Sequence, residues 1–262
     1  MSLKGRLALV TGSSSGIGLG IARRLAAAGA DLVVHGLGPP ADLDLVASRL
    51  REDYGVGAVA HGADLSKPAD IADLMAEPQR YYGRHVDILV NNAGMQHVAP
   101  VQDFPDDKWD QILAVNLSSN FYTIKHALGP MLEVGWGRIV NIASTHGRVA
   151  SAKKAPYVAS KHGVLGLTKA VALETAGTQV TCNAICPGWV LTPLVEQQID
   201  ARVQTNGTTW EEESRNLVLE KQPSGDFVLP EHVGGLVTFL CSEDAAEVRG
   251  AAIGMDGGWT AQ

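Results

Sequence analysis

Aromatic side chains are scarce in this chain of 262 residues, at 5% of the total, and cysteine is scarcer still, with three residues at 182, 186 and 241. An odd count without C-x-x-C spacing excludes a disulfide framework and a zinc ribbon. The three thiols read as small buried hydrophobes in a reducing compartment. Basic residues are also under-represented: 21 Lys and Arg stand against 28 Asp and Glu, for a net charge of −7. No uniformly basic surface, and so no nucleic-acid partner, is expected. No apolar run approaches the ~20 residues that span a bilayer, so no membrane partner is expected either. Residues 1–6 lead straight into a strand-like run without a signal-peptide layout, which points to the cytoplasm. No metal site is expected.

What the chain does have is 45% hydrophobic residues, 29 Gly and only 19% charged residues, enough to bury a large core. Short β-rich apolar runs at 7–11, 31–35, 58–60, 88–91, 138–143, 180–186 and 251–255 alternate with helical patterns around 17–28, 41–54, 68–83, 106–134, 157–176 and 230–241. Strand–helix alternation calls for a parallel sheet with right-handed crossovers and helices on both faces. The strands are almost continuously apolar, as expected when both faces are covered. No repeat, low-complexity tract or linker breaks the chain, so 1–262 reads as a single domain. The stretch 188–230 is more polar and less regular, and is expected to form a helical substrate lid over the carboxyl ends of the strands.

Three motifs carry chemistry. Gly12, Ser14, Ser15, Gly16, Ile17 and Gly18 follow the first strand and open a helix. Glycines there let the backbone turn tightly and approach a pyrophosphate, and the helix N-terminus offers unpaired N–H groups. Asn92, Ala93 and Gly94 follow the fourth strand, where small residues let a flat ring lie against backbone. Ser144 ends the fifth strand, and Tyr157 and Lys161, four apart, share one helix face. An ammonium near a phenol favours the phenolate and suits it to acid–base work.

The spacing G-x-x-x-G-x-G, the Asn-Asn-Ala-Gly turn and the Ser144, Tyr157, Lys161 set, in this order, resemble the short-chain dehydrogenase/reductase superfamily. The resemblance implies a Rossmann-type doubly wound α/β sheet of about seven strands and a nicotinamide cofactor. It implies catalytic roles for Ser144, Tyr157 and Lys161, and makes Asn116 the fourth member, holding a water in a proton relay. It further implies cofactor contacts at Asp64 and Leu65, at Pro187, Gly188 and Val190, and at Leu37, Tyr157 and Lys161. The second strand ends without a carboxylate, and no Arg or Lys occupies 13–15 or 35–38. An unpaired phosphate dianion is costly to desolvate, so NAD rather than NADP is expected.

Further segments, among them Gln96-His97, Thr145-His146-Gly147, Cys186 to Val190, Glu220 to Ser224 and the end from Asp256, resemble the bacterial D-3-hydroxybutyrate dehydrogenases. That family implies a small hydroxy or keto acid substrate with its carboxylate held by Gln96, His146, Lys154 and Gln198. Ser144 and Tyr157 lie at the reacting oxygen, Trp189 and Trp259 border the pocket, and the assembly is a homotetramer. A small anion entering a protein of net charge −7 needs a local cation and neutral donors, which Lys154, Gln96, His146 and Gln198 can supply. Lys153 adjoins Lys154, and the sequence leaves open which of them reaches the carboxylate. Pro156, Arg148 and Leu191 depart from the family's residue types; a proline at a helix start is tolerated. Two other readings stand beside this one: a 3-oxoacyl carrier-protein reductase, and a non-catalytic dinucleotide sensor.

Overall fold

The computed structural model describes residues 2–261. Seven strands, β1 Leu7–Val10, β2 Asp31–His35, β3 Ala58–His61, β4 Ile88–Asn91, β5 Gly137–Ile142, β6 Val180–Pro187 and β7 Ala252–Met255, form one sheet in the order β3-β2-β1-β4-β5-β6-β7. Every pairing is parallel. The order reverses between β1 and β4, and ligands of such sheets bind at the carboxyl ends of the strands beside that reversal.

Among the described residues, nine α-helices accompany the strands: α1 Gly16–Ala27, α2 Pro40–Tyr54, α3 Pro68–Tyr82, α4 Asp106–Leu113, α5 Ser119–Val134, α6 Ala155–Glu174, α7 Pro193–Asn206, α8 Trp210–Leu219 and α9 Pro230–Leu240. Alternate residues of β1 serve opposite layers. Ala8 and Val10 pack with Ile21 and Leu25 of α1 and Val233 and Val237 of α9. Leu7 and Leu9 pack with Ile71 and Leu74 of α3 and Ile124 of α5. Both faces are therefore dry, which is why the strands carry no alternation of polar and apolar residues. Proline opens α2, α3, α6, α7 and α9, where its missing N–H costs nothing. Pro156 is one of these.

One sequence expectation changes. The helical pattern at 106–134 is not one regular helix: a π turn, Ala114–Ser118, joins α4 to α5 and places Asn116 at its centre. The stretch expected as a helical lid contains α7 and α8, whose Val195, Ile199 and Leu217 pack around Trp189 as a separate small core. None of the helices is long and apolar enough to cross a membrane among the described residues.

Candidate active site

The turn after β1 is held by hydrogen bonds from three directions. Gly12 and Gly16 take left-handed backbone, with φ of 64° and 52°, conformations that a side chain would strain. Thr11 Oγ1 accepts from the Asn92 and Ala93 N–H groups at 2.9 and 3.0 Å. The Asn92 side-chain amide donates back to the Thr11 and Gly12 carbonyls at 2.9 and 3.1 Å. The two small-residue motifs are thus one structural unit. His35, at the end of β2, was missed as a member of it. The Gly12 N–H donates to His35 Nδ1 at 3.0 Å, and Nε2 lies 2.9 Å from the Ala63 carbonyl. Nε2 therefore carries the proton, and burial lowers the His35 pKa in keeping with a neutral ring. A strand-end His has no sequence signal that separates this brace from a core residue.

Gly12, Ser14, Ser15, Gly16, Ile17, Gly18, Leu37, Asp64, Leu65, Asn92, Ala93 and Gly94 all line one cavity of about 440 Å³. No side chain fills the approach to the α1 N-terminus, because a Cβ on Gly18 would run into the Gly12 carbonyl and the Asn92 amide. Bare backbone, a free helix N-terminus and a cleft of this size fit a dinucleotide. Neither Arg nor Lys lines this cavity among the described residues.

A second cavity of about 400 Å³ adjoins the first, sharing Ile17, Asn92, Gly94 and Thr192 with it. Its walls bring together Gln96, Ser144, His146, Lys154, Tyr157, Lys161, Gly188, Trp189, Val190 and Trp259. Asn116 is wholly buried behind this wall. Its Oδ1 accepts from Met95 N at 2.8 Å and its Nδ2 donates to Met95 O at 2.9 Å. The π turn thus fixes the segment that carries Gln96. A Cβ on Gly94 would lie 3.4 Å from Asn116 Oδ1 and 3.7 Å from Lys161 Nζ, so the three meet at one point.

Lys161 donates to the Ile142 carbonyl at 2.8 Å, and burial lowers its pKa to about 8. In the protein alone burial raises the Tyr157 phenol, and the neighbouring Ser144 hydroxyl opposes part of that rise. The Lys161 ammonium stands 5.7 Å from the centre of the Tyr157 ring.

His146 is held between two hydroxyls. Its Nδ1 lies 3.4 Å from Ser144 Oγ and its Nε2 2.8 Å from Ser151 Oγ. Its ring meets those of Tyr157 and Trp259 edge to face. Burial, with the charges of Lys154 and Lys221, lowers its pKa to about 4. Lys154 lies 5.9 Å from the centre of the Trp189 ring, and burial lowers its pKa as well. Lys153 is exposed and lines neither cavity, whereas Lys154 lines the second. Glu220 is the one acidic residue of this lining, and it is tied to Arg202 at 2.6 Å. Lys154 and Lys221, which also lines the wall, form no ion pair among the described residues, so the local charge opposes the protein's overall sign. Gln198 is half-buried on α7 and, like Pro187 at the end of β6, lines neither cavity.

Comparison with known proteins places this site in a lineage. Residues 6–202 match the family model described as short chain dehydrogenase. The chain is 57% identical over 261 residues to a D-beta-hydroxybutyrate dehydrogenase of Cupriavidus necator, covering 99% of this chain and 100% of that protein. It is 51% identical over 257 residues to one of Rhizobium meliloti, covering 98% and 99%. Among solved structures, it resembles the L-sorbose reductase of Gluconobacter frateurii complexed with NADPH and L-sorbose, with a TM-score of 0.95 at 29% identity, covering 100% of this chain and 99% of that one. A variant of the actinorhodin polyketide ketoreductase with NADPH gives 0.89 at 40% identity, covering 99% of each.

Proposed function

The chain belongs to the short-chain dehydrogenase family, and on that premise we propose that it interconverts D-3-hydroxybutyrate and acetoacetate with NAD. The observation that carries the proposal is the second cavity. Ser144, Tyr157 and Lys161, the set that makes and breaks a carbonyl, share its walls with an unpaired Lys154 and the amide of Gln96. A ketone without a charge would have no use for that lysine.

A nicotinamide dinucleotide, when bound, accepts or supplies the hydride. The glycine turn and the α1 N-terminus would hold its pyrophosphate, Asp64 and Leu65 would border its adenine, and Gly94 would leave room for its ring. Absence of a cation beside Gly36 and Leu37 supports NAD over NADP, since a ribose phosphate there would stay unpaired. The same absence weighs against a carrier-protein reductase that uses NADP. Tyr157 gives its proton to the ketone oxygen in reduction and takes it back in oxidation. Ser144 donates to that oxygen, and Lys161 orients the cofactor ribose and supplies positive charge beside Tyr157. Asn116 anchors the Met95 backbone and, as in the family, the relay that restores the Tyr157 proton. Lys154 holds the carboxylate, with Gln96 and His146 beside it and Trp189 and Trp259 closing the pocket. Helices α7 and α8 form the lid, and α7 carries Gln198, the second amide of the carboxylate set. The assembly we infer is a homotetramer, which the exposed Trp109, Phe121 and Leu173 on α4, α5 and α6 support.

The test is an absorbance assay of D- and L-3-hydroxybutyrate, each with NAD and with NADP. Turnover of the D form with NAD, at least tenfold faster than the other combinations, is expected. No activity on either enantiomer would remove the substrate assignment and leave the dehydrogenase class intact.

A further inference from the structure

Burying a hydroxyl or N–H without a partner is costly, so each such group in a folded protein calls for a reason. Among the described residues, five buried side-chain polar atoms lack a hydrogen-bond partner within the protein. They belong to His61, Arg138, Thr145 and Trp189. His61 and Arg138 line neither cavity, whereas Thr145 and Trp189 both line the second one. The trapped polarity at the functional end of the molecule is therefore gathered where a ligand would sit.

Thr145 is the sharper case. It is 1% exposed and follows Ser144 directly in the 3-10 turn Thr145–Gly147. Its carbonyl is used, accepting from the Arg148 and Val149 N–H groups at 2.9 and 3.0 Å. Its Oγ1 alone has no partner. The Trp189 indole, by contrast, is packed into the small core under the lid, so a change there would disturb α7 and α8 together.

We propose that the Thr145 hydroxyl is a substrate-positioning group, a donor held ready for the carboxylate of the bound acid. The assignment rests on the hydroxybutyrate reading above and goes on to name an additional contact within it. A four-carbon keto acid offers acceptors only at its reacting oxygen and its carboxylate. Ser144 and Tyr157 occupy the reacting oxygen, which leaves the carboxylate for Thr145. The free protein bears the cost of the unpaired hydroxyl, and the substrate removes it on binding, so the group discriminates against ligands that lack an acceptor there.

The experiment compares Thr145→Val, which keeps the shape and removes the hydroxyl, with Thr145→Ser, which keeps the hydroxyl. Thr145→Val is expected to raise KM for acetoacetate ~10-fold, the scale of a hydrogen bond to a charged group, with kcat changed less than KM. Its KM for butanone, which has no carboxylate, stays at the wild-type value. In the absence of substrate the same variant is expected to melt ~2–4 °C higher, because a buried unpaired group is gone. Thr145→Ser restores KM to near the wild-type value. An unchanged KM for acetoacetate in Thr145→Val, or a lower melting temperature, overturns the inference while leaving the hydroxybutyrate reading in place. Wild-type protein that turns over neither acetoacetate nor D-3-hydroxybutyrate sinks that reading, and the inference with it.

Discussion

Tyr157 and Lys154 do different work with the same physical handicap, since burial disfavours the charged form of each. For Tyr157 the handicap is one that nearby positive charge, such as that of Lys161, must offset, because proton transfer is most efficient when the pKa lies near the working pH. Removing only the phenol oxygen, in Tyr157→Phe, is expected to cut kcat by ~10²–10⁴ and to leave the dissociation constant for NAD unchanged in a fluorescence titration. Retained turnover would take the proton-transfer role away from this residue. For Lys154 the handicap is relieved by an anion, because a half-buried ammonium with no carboxylate partner gains most when the ligand brings one. Lys154→Ala should therefore raise KM for acetoacetate ~10-fold or more and leave that for butanone unmoved, whereas equal rises would show a packing defect. Ser144, Tyr157 and Lys161 were legible in the sequence because spacing along a strand end and a helix carries over directly into space. The brace from His35 to Gly12, the clasp of Asn116 on Met95 and the lone hydroxyl of Thr145 were not. Each is a contact between distant segments or a missing one, and neither leaves a local pattern.

At the scale of elements, the site depends on backbone approaching backbone. Gly18, in the first turn of α1, lies so close to the Gly12 carbonyl and the Asn92 amide that a methyl group has nowhere to go. Gly18→Ala must push the glycine turn away from Asn92, breaking the link between the turns after β1 and β4. A loss of NAD affinity of at least ~10-fold is expected, the scale of one or two hydrogen bonds, with the far-ultraviolet dichroism unchanged. Wild-type affinity in this variant would show that the turn is slack. The sequence revealed this turn because a run of glycines has few other uses. It did not reveal the π turn at Ala114–Ser118, since one extra residue in a helix hardly disturbs the apolar period, yet that turn is what aims Asn116 at Met95. The helical character of the lid was expected, but the bounds of α7 and α8 were not, because the cluster they form with Trp189 and Leu191 rests on a short apolar stripe, Val195, Ile199 and Leu217. A lid that must open benefits from a small core.

The whole molecule is acidic, with a net charge of −7, but its second cavity is cationic, and His146 stands inside that local field. Burial and the charges of Lys154 and Lys221 bring its pKa from 6.5 down to about 4. The unfolded chain has neither influence. Between those two values the unfolded state therefore binds a proton that the native state refuses, and stability rises with pH in that window. In the direction of acid, stability falls from about pH 6.5 to about pH 4 and then levels off for this group, by at most about 3 kcal/mol from a shift of this size. His35, lowered by burial, adds a loss of the same sign. The lowered carboxyls of Asp64, Asp73 and Glu213 act at lower pH, where they begin to protonate. Urea midpoints at pH 7, 5.5 and 4.5, for wild type and for His146→Asn, separate these contributions. The variant should lose part of the slope between pH 6.5 and 4.5 and keep a remainder to which His35 contributes. Identical slopes in the two proteins would mean that His146 titrates in the native state as it does in the unfolded chain, and that the cavity's charge does not reach it.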